Sequence, residues 1–423
     1  MKRLTWKLGS KYKTPLGLTG IMVLLGMLFS YAMFQGGFVS WFLFYSMLPF
    51  VAYTITMVFY PLHKIEITRT LNKELMMAGE ELVVTIELKR KTPFPLFYLI
   101  IHDEIPAPLY NEALHDGEED QIHSRVLFFP LFKKRLVYLY RIKPVPRGIY
   151  ELNSVSLRTG DVFGFVQKEI KVHLSDRVFI YPRYQEIEHL EMDKHLQNGV
   201  QKSGRNSMTD YTSSVSVRDY VQGDRLSWLH WKASARSNKL VTKVFEHQRN
   251  NDYVIVLDQS ALSYKNNDLL FEKAVSFAAS ITHYSVQNGA SLGLHSSGSR
   301  QRVPMNTGTD HEWRIFHELA GVQPRLQEPF YEWLRREFTE GRLESRTVVV
   351  ISPLLDDVMM KTLEVVSARQ ANMIFFYMSP NDRLHPQELS YIHRLNNGLI
   401  PTTAIYGPHF NEALKAGANR ASI

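Results

Sequence analysis

The sequence predicts a three-part chain: a membrane hairpin of two transmembrane helices, an Ig-like β-sandwich, and a C-terminal Rossmann-like α/β domain. Three observations predict it. Two uncharged stretches, 15–34 and 38–60, open the chain. Short alternating segments punctuated by Pro and Gly come next, with no helical periodicity among them. From Asp252 onward apolar runs alternate with amphipathic segments, the pattern of successive βα units. A length of 423 residues leaves room for two or three domains.

Residues 1–62 read as the anchor. Each uncharged stretch is long enough to cross a hydrocarbon core of ~30 Å. Gln35-Gly36-Gly37 between them permits only a tight reversal. Lys2, Arg3, Lys7, Lys11 and Lys13 precede the first stretch, and Lys64, Arg69 and Lys73 follow the second. Positive-inside bias then puts both termini and the soluble domains in the cytoplasm. A cleaved signal peptide is the alternative for the first stretch. It is disfavoured because no small-residue cleavage site separates the two cleanly.

Residues 63–183 read as a β-sandwich of about seven strands. Leu82, Val84, Ile86 and Leu88 alternate onto one face. His102-Asp103-Glu104 and His115-Asp116 could be metal ligands, but exposed acidic loops are the simpler reading. This part is expected to act as a spacer or a partner-binding module.

Residues 184–251 read as a polar linker followed by the most concentrated stretch of the chain. A short strand with Val215 and Val217 leads to a Gln222-Gly223-Asp224 turn. Asp224 is placed to cap a helix over 225–236. Leu226, Leu229 and Ala233 share one helical stripe, and Trp228, Trp231 and Ala235 the next. Trp231 is expected to pack that helix against the α/β domain. A strand over 240–247 carries Lys243. Residues 201–250 hold nine Lys/Arg against four Asp/Glu. Cations interleaved with aromatic rings suit anion contacts, cation–π packing or a protein interface. The bland alternative is that the Trp pair is core and the Arg side chains pair within the domain.

These residues resemble a known signature. Arg218-x-Tyr220-x-x-Gly223-Asp224, then Trp228-x-His230-Trp231-Lys232-x-x-Ala235-Arg236, then Lys243, resemble that of domain-of-unknown-function family 58 (DUF58). Arg147-Gly148-x-Tyr150, Asp161-x-Phe163-Gly164 and Tyr181-Pro182-Arg183 are similar to its upstream segments. The whole chain resembles the membrane-anchored members. The resemblance implies a von Willebrand factor A-like domain. It also implies company with MoxR-type AAA+ ATPases and transglutaminase-like membrane proteins.

Residues 252–423 read as that α/β domain. The run 347–352, Thr-Val-Val-Val-Ile-Ser, is a strand buried on both faces. Ligands of such sheets bind beyond the carboxyl ends of the strands, where Asp258-Gln259-Ser260-Ala261-Leu262 falls. Von Willebrand factor A domains carry Asp-x-Ser-x-Ser there and hold Mg²⁺. Asp258 and Ser260 match. Leu262 replaces the last Ser, and Ser263 is one place off. Asp356 or Asp357 would supply a distant acid, and Thr307 or Thr309 a hydroxyl. The lost oxygen ligand predicts weak or no Mg²⁺ binding, Asp258 capping the next turn instead.

Composition narrows the function. With no Cys there is no disulfide framework, thiolate nucleophile or Cys zinc site. The net charge of +7 gathers in residues 1–13 and 201–250, at +5 each, which argues against the broad basic surface of a nucleic-acid binder. No Gly-x-x-x-x-Gly-Lys-Ser/Thr loop occurs. His317-Glu318 lacks a second His four residues after the first, since 321 is Gly. His230 is the best-placed acid–base candidate, although a His between aromatic residues is more often structural. The preferred expectation is a non-catalytic adaptor. A hydrolase using Asp258, His230 and an acid near Asp356 is the alternative. An extracellular adhesion domain is the third reading, against the charge-based topology.

Overall fold

The structure is a computed structural model. It describes residues 13–109, 124–188, 190, 214–221, 228–237, 239–245, 252–298, 302–341, 347–369, 373–398 and 400–421. The chain divides into two compact units: 1–183 with 319–321, and 184–318 with 322–423.

The first unit opens with helices α1 (Lys13–Gln35) and α2 (Phe38–Phe59). Gly36 between them has φ +62, a conformation that favours glycine. Of the two expected spans, 38–60 corresponds to α2, which alone among the described helices is long and apolar enough to cross a membrane. The span 15–34 falls in α1, whose apolar part, Thr19–Gln35, is shorter among the described residues.

Among the described residues eight strands follow. β1 (Glu66–Leu71), β3 (Leu82–Lys89) and β6 (Arg135–Ile142) form an antiparallel three-stranded sheet in the order β1-β3-β6. β2 (Leu75–Met77), β4 (Leu99–Asp103), β5 (Arg125–Phe128), β7 (Gly148–Gly160) and β8 (Gln167–Tyr181) form a second sheet, ordered β2-β8-β7-β4-β5. Only its β2–β8 pair is parallel. Alternation along β3 buries Leu82, Val84, Ile86 and Leu88 completely. They meet Leu99 and Ile101 of β4 and Leu152 and Val155 of β7 in one apolar core.

That core encloses ions the sequence reading placed elsewhere. Arg69, taken as a flanking charge, is buried. Its guanidinium donates to Asp103, to Asp176 at 3.2 Å and to the Leu152 carbonyl at 2.8 Å. The Tyr140 hydroxyl donates to Asp103 at 2.6 Å. Asp103 is therefore not the exposed loop acid expected. It ends a strand whose alternation turns it inward, where Arg69 supplies the opposite charge. His115-Asp116 lies outside the described residues.

The second unit contains a two-stranded antiparallel ribbon, β9 (Ser214–Asp219) and β10 (Val241–Phe245), with the short helix α3 (Trp231–Ser237) between them in sequence. Its main sheet is built from β11 (Asp252–Leu257), β12 (Ser291–Ser296), β13 (Val303–Asn306), β14 (Thr347–Ser352), β15 (Met373–Met378) and β16 (Thr402–Ile405). Its helices are α4 (Ala261–Tyr264), α5 (Asp268–Gln287), α6 (Thr309–Gly321), α7 (Phe330–Thr339), α8 (Asp357–Arg369), α9 (Pro386–Asn397) and α10 (Phe410–Ala421).

The strand order is β13-β12-β11-β14-β15-β16, with β13 antiparallel and the others parallel. β14 and β15 are buried at every position, as expected of strands covered on both faces. Val254 and Val256 face a core shared with Phe330 and Trp333 of α7, Met359 and Leu363 of α8, and Leu395 of α9. On the other face Phe277 of α5 meets Phe376 of β15 and Phe410 of α10, with ring centroids 5.0 and 5.1 Å apart. Asn267 caps α5 by accepting from the Leu270 amide at 3.1 Å. Strand order reverses between β12 and β14, so β11 and β14 flank the switch point at the carboxyl edge.

Candidate functional site

Two groups of residues carry the chemistry of the second unit: the basic–aromatic ribbon and the carboxyl ends of β11 and β14.

In the ribbon, Thr242 pairs with Arg218 and Lys243 with Val217. The Tyr220 amide donates to the Leu240 carbonyl at 2.9 Å. Leu229 bridges Thr242, and the His230 amide donates to the Val241 carbonyl at 2.8 Å. The Ser234 hydroxyl accepts from the Val241 amide at 2.9 Å, which ties α3 to β10. Leu229 and Val241 are buried beneath this knot.

This corrects the expected helix over 225–236. Residues 222–227, with Gly223 and Asp224, lie outside the described residues. The described helix begins at Trp231, because Leu229 and His230 commit their backbones to β10. His230 supplies the cap: its Nδ1 accepts from the Ala233 amide at 3.1 Å. Trp231, expected to pack inward, is 68% exposed, and Leu229 holds the inward place instead. Trp228 is half-buried. Arg218, Lys232, Ala235 and Arg236 are exposed, and Tyr220 is partly so. Arg236 stands in the last turn of α3, where a cation is favoured. Lys243 is on β10; its side chain lies outside the described residues.

At the sheet edge, Asp258 is fully buried. One carboxylate oxygen accepts from the Ser260 amide at 2.7 Å and the other from the Ser352 hydroxyl at 2.7 Å. Its carbonyl accepts from the Tyr264 hydroxyl at 2.9 Å. Burial pushes its pKa up to about 7, and the neutral hydrogen-bond donors only partly offset that. Ser260 donates its hydroxyl to the Glu328 carbonyl at 2.8 Å. The Gln259 amide donates to Ser297 Oγ at 2.8 Å. Sequence reasoning missed Ser352, Ser297 and Glu328; the one available signal was the Ser closing the apolar run of β14.

The donor set does not fit Mg²⁺. Asp356 uses Oδ1 to accept from the Met359 amide at 2.7 Å, and so caps α8. Leu262 is exposed and brings no oxygen; the buried Ser263 hydroxyl lies beside Asp258 instead, a neutral group that adds no charge. Thr307 and Thr309 are excluded by topology. Antiparallel β13 pairs Asn306 with Leu292 near the start of β12, so the chain after it lies at the amino edge, away from Asp258. Among the described residues no group of three or more His, Asp or Glu could hold a metal ion. Hard cations of this class need six or more oxygen ligands, with water filling what the protein does not supply.

The upstream motifs resolve into turn chemistry in the first unit. The Tyr150 hydroxyl donates to the Arg147 carbonyl at 2.9 Å. A Cβ at Gly148 would stand 2.6 Å from the Tyr150 ring, so only glycine fits. Asp161 accepts from the Val166 amide at 2.6 Å and the Phe163 amide at 3.2 Å, which holds Val162 and Phe163 outward on a tight turn.

A six-stranded, doubly wound sheet preceded by a basic–aromatic ribbon defines the class of the second unit. The chain belongs to the family described as "Protein of unknown function DUF58", whose model matches residues 216–387. It is 37% identical over 352 residues to "Uncharacterized protein YeaD" of Bacillus subtilis (strain 168), covering 82% of this chain and 85% of that one. Among solved structures, it matches Spo0M, a sporulation control protein from Bacillus subtilis, at 13% identity and TM-score 0.15. That match covers 37% of this chain and 58% of the other, so this chain spans less than two thirds of it. The PilB minor pilin from Streptococcus sanguinis matches at 8% identity and TM-score 0.29, covering 77% and 87%. Likenesses this low carry no argument.

Proposed function

We propose that this chain is a membrane-anchored, non-catalytic adaptor whose second unit, a von Willebrand factor A-like domain, engages a MoxR-type AAA+ ATPase. The observation that carries this reading is the contrast between the ribbon and the sheet edge. Asp258 and Ser260 spend their hydrogen bonds inward, whereas Trp231 and Arg236 project from α3. An exposed Trp and an exposed Arg on one short helix are the composition of an interface anchor. The strand order with one antiparallel edge supports the von Willebrand-like reading. In this proposal 1–62 anchor the chain as a two-helix hairpin, with both termini and the soluble parts cytoplasmic. Residues 63–183 form a sandwich-type spacer, and 184–251 link it to the domain at 252–423. A transglutaminase-like membrane protein is the second partner expected. The hydrolase alternative is not favoured, since His230 Nδ1 is engaged as a cap and Asp258 is closed off.

The test is crosslinking in membranes, comparing wild type with Trp231→Ala and Arg236→Ala. Specific recovery of an AAA+ ATPase with wild type, lost in both variants at equal protein level, supports the adaptor. Recovery unchanged by both substitutions refutes the ribbon as the contact.

A further inference from the structure

The second half of α2 packs on the segments that join the β-strands of its own unit. Tyr53 donates its hydroxyl to the Pro95 carbonyl at 3.0 Å. Its ring stacks on Phe94 at 5.5 Å and meets Phe97 edge-on at 5.0 Å. Phe50 meets Phe163, on the Asp161 turn, at 5.5 Å. Lys168 donates to the carbonyls of Val58 and Tyr60, marking the helix end with a cation.

These contacts limit where the strands can sit. A helix of 22 residues is ~33 Å long, about one hydrocarbon core. Tyr53 and Phe50 stand six and nine residues before its last residue, ~9 and ~14 Å back along the axis. If α2 spans, whatever touches them lies below the headgroups.

The touching segments are built for that. Leu96 and Leu131 bridge, which joins the segment carrying Phe94 and Phe97 to the turn after β5. That turn presents Phe129 and Phe132, 68% and 64% exposed, and Leu131 sits exposed at φ +45, a conformation rare for a branched side chain. Irregular backbone is excluded from hydrocarbon unless its polar groups are satisfied internally. Here they are. Buried Arg90 donates to the carbonyls of Phe94 at 3.0 Å, Leu131 at 2.9 Å and Lys133 at 2.9 Å. Exposed Lys133 and Lys134 follow, placed for headgroup phosphates.

We infer that the Phe129–Phe132 turn and the Asp161–Phe163 turn insert into the leaflet beside α2, so that the first unit is seated in the bilayer surface rather than held away from it. The inference rests on the reading of α2 as a membrane span. The occupant is the lipid of that bilayer, argued from continuity with α2 and from the satisfied backbone.

The chain has no Cys, so single Cys substitutions in the full-length protein can each carry one bimane label. The protein is reconstituted in phosphatidylcholine–phosphatidylglycerol vesicles with brominated acyl chains. Labels go at Phe132→Cys, Phe163→Cys, Tyr45→Cys in α2, and Leu269→Cys on the surface of the second unit. Lipid quenching at 132 and 163 should reach at least half that at 45, with 269 unquenched. Quenching at 45 but not at 132 and 163 overturns this inference and leaves the span intact. No quenching at 45 overturns the span and this inference together. Labels at 132 and 163 shielded from aqueous iodide but not quenched by lipid would mark a protein on the turns, and also overturn it.

Discussion

Asp103 and Asp258 are both fully buried, one in each unit, and their surroundings differ in kind. Asp103 faces the Arg69 guanidinium and the Tyr140 hydroxyl. Asp258 faces neutral groups, the Ser352 and Ser263 hydroxyls and the Ser260 amide. A charge taken out of water needs an opposite charge or a proton. The first unit supplies the charge within its core. The second leaves Asp258 to the proton, which is why burial lifts its pKa to about 7. The same side chain thus meets a cation in one unit and only neutral groups in the other.

The largest expected effect comes from breaking the first arrangement. Arg69→Met strands Asp103 without its cation and should destabilise the first unit by about 3–5 kcal/mol. Arg69→Met/Asp103→Leu should regain much of that loss. Denaturant titration of the full-length protein in detergent reads both. A double variant as unstable as the single would show that the pair is not what the core depends on.

Next comes pH. The folded pKa of Asp258, about 7, lies above its ordinary 3.8, so the folded chain holds this proton more tightly than the unfolded chain. The stability it contributes is full below about pH 4 and is lost as pH rises through about 7. The displacement is worth on the order of 4 kcal/mol. Asp258→Asn should flatten the fall of melting temperature across that window. A slope that survives the substitution must come from other groups.

A smaller change sharpens the same point. Ser352→Ala removes a donor that favours the charged carboxyl, so the pH midpoint should move up, with about 1 kcal/mol lost. The smallest expected effect is Trp231→Ala. Exposed as it is, its truncation should change stability by less than about 0.5 kcal/mol, unlike a core Trp. A melt lowered by several degrees would mean that Trp231 packs after all.

What was legible in the sequence was local. Leu82 to Leu88 announce their face by alternation, and 347–352 by continuous apolarity. The position of Asp258 after an apolar run could be read, but not its partner Ser352, which is 94 residues away. Arg69 looked like a flanking charge because Asp103, 34 residues on, was invisible as its partner. Trp231 was misassigned for a different reason. Helical spacing of the apolar residues begins at residue 225, while the described helix starts at 231, after pairing with β10 has consumed the residues just before it.

The main sheet is short at both margins. Its outer strands, β13 and β16, have four residues each. β13 runs against its neighbour, pairs with a register shift and carries exposed Pro304, which has no amide hydrogen to offer an incoming strand. Short margins, one of them bearing a proline, suppress strand-to-strand polymerisation. Side by side, copies of this sheet are hindered from zipping into one continuous β-structure.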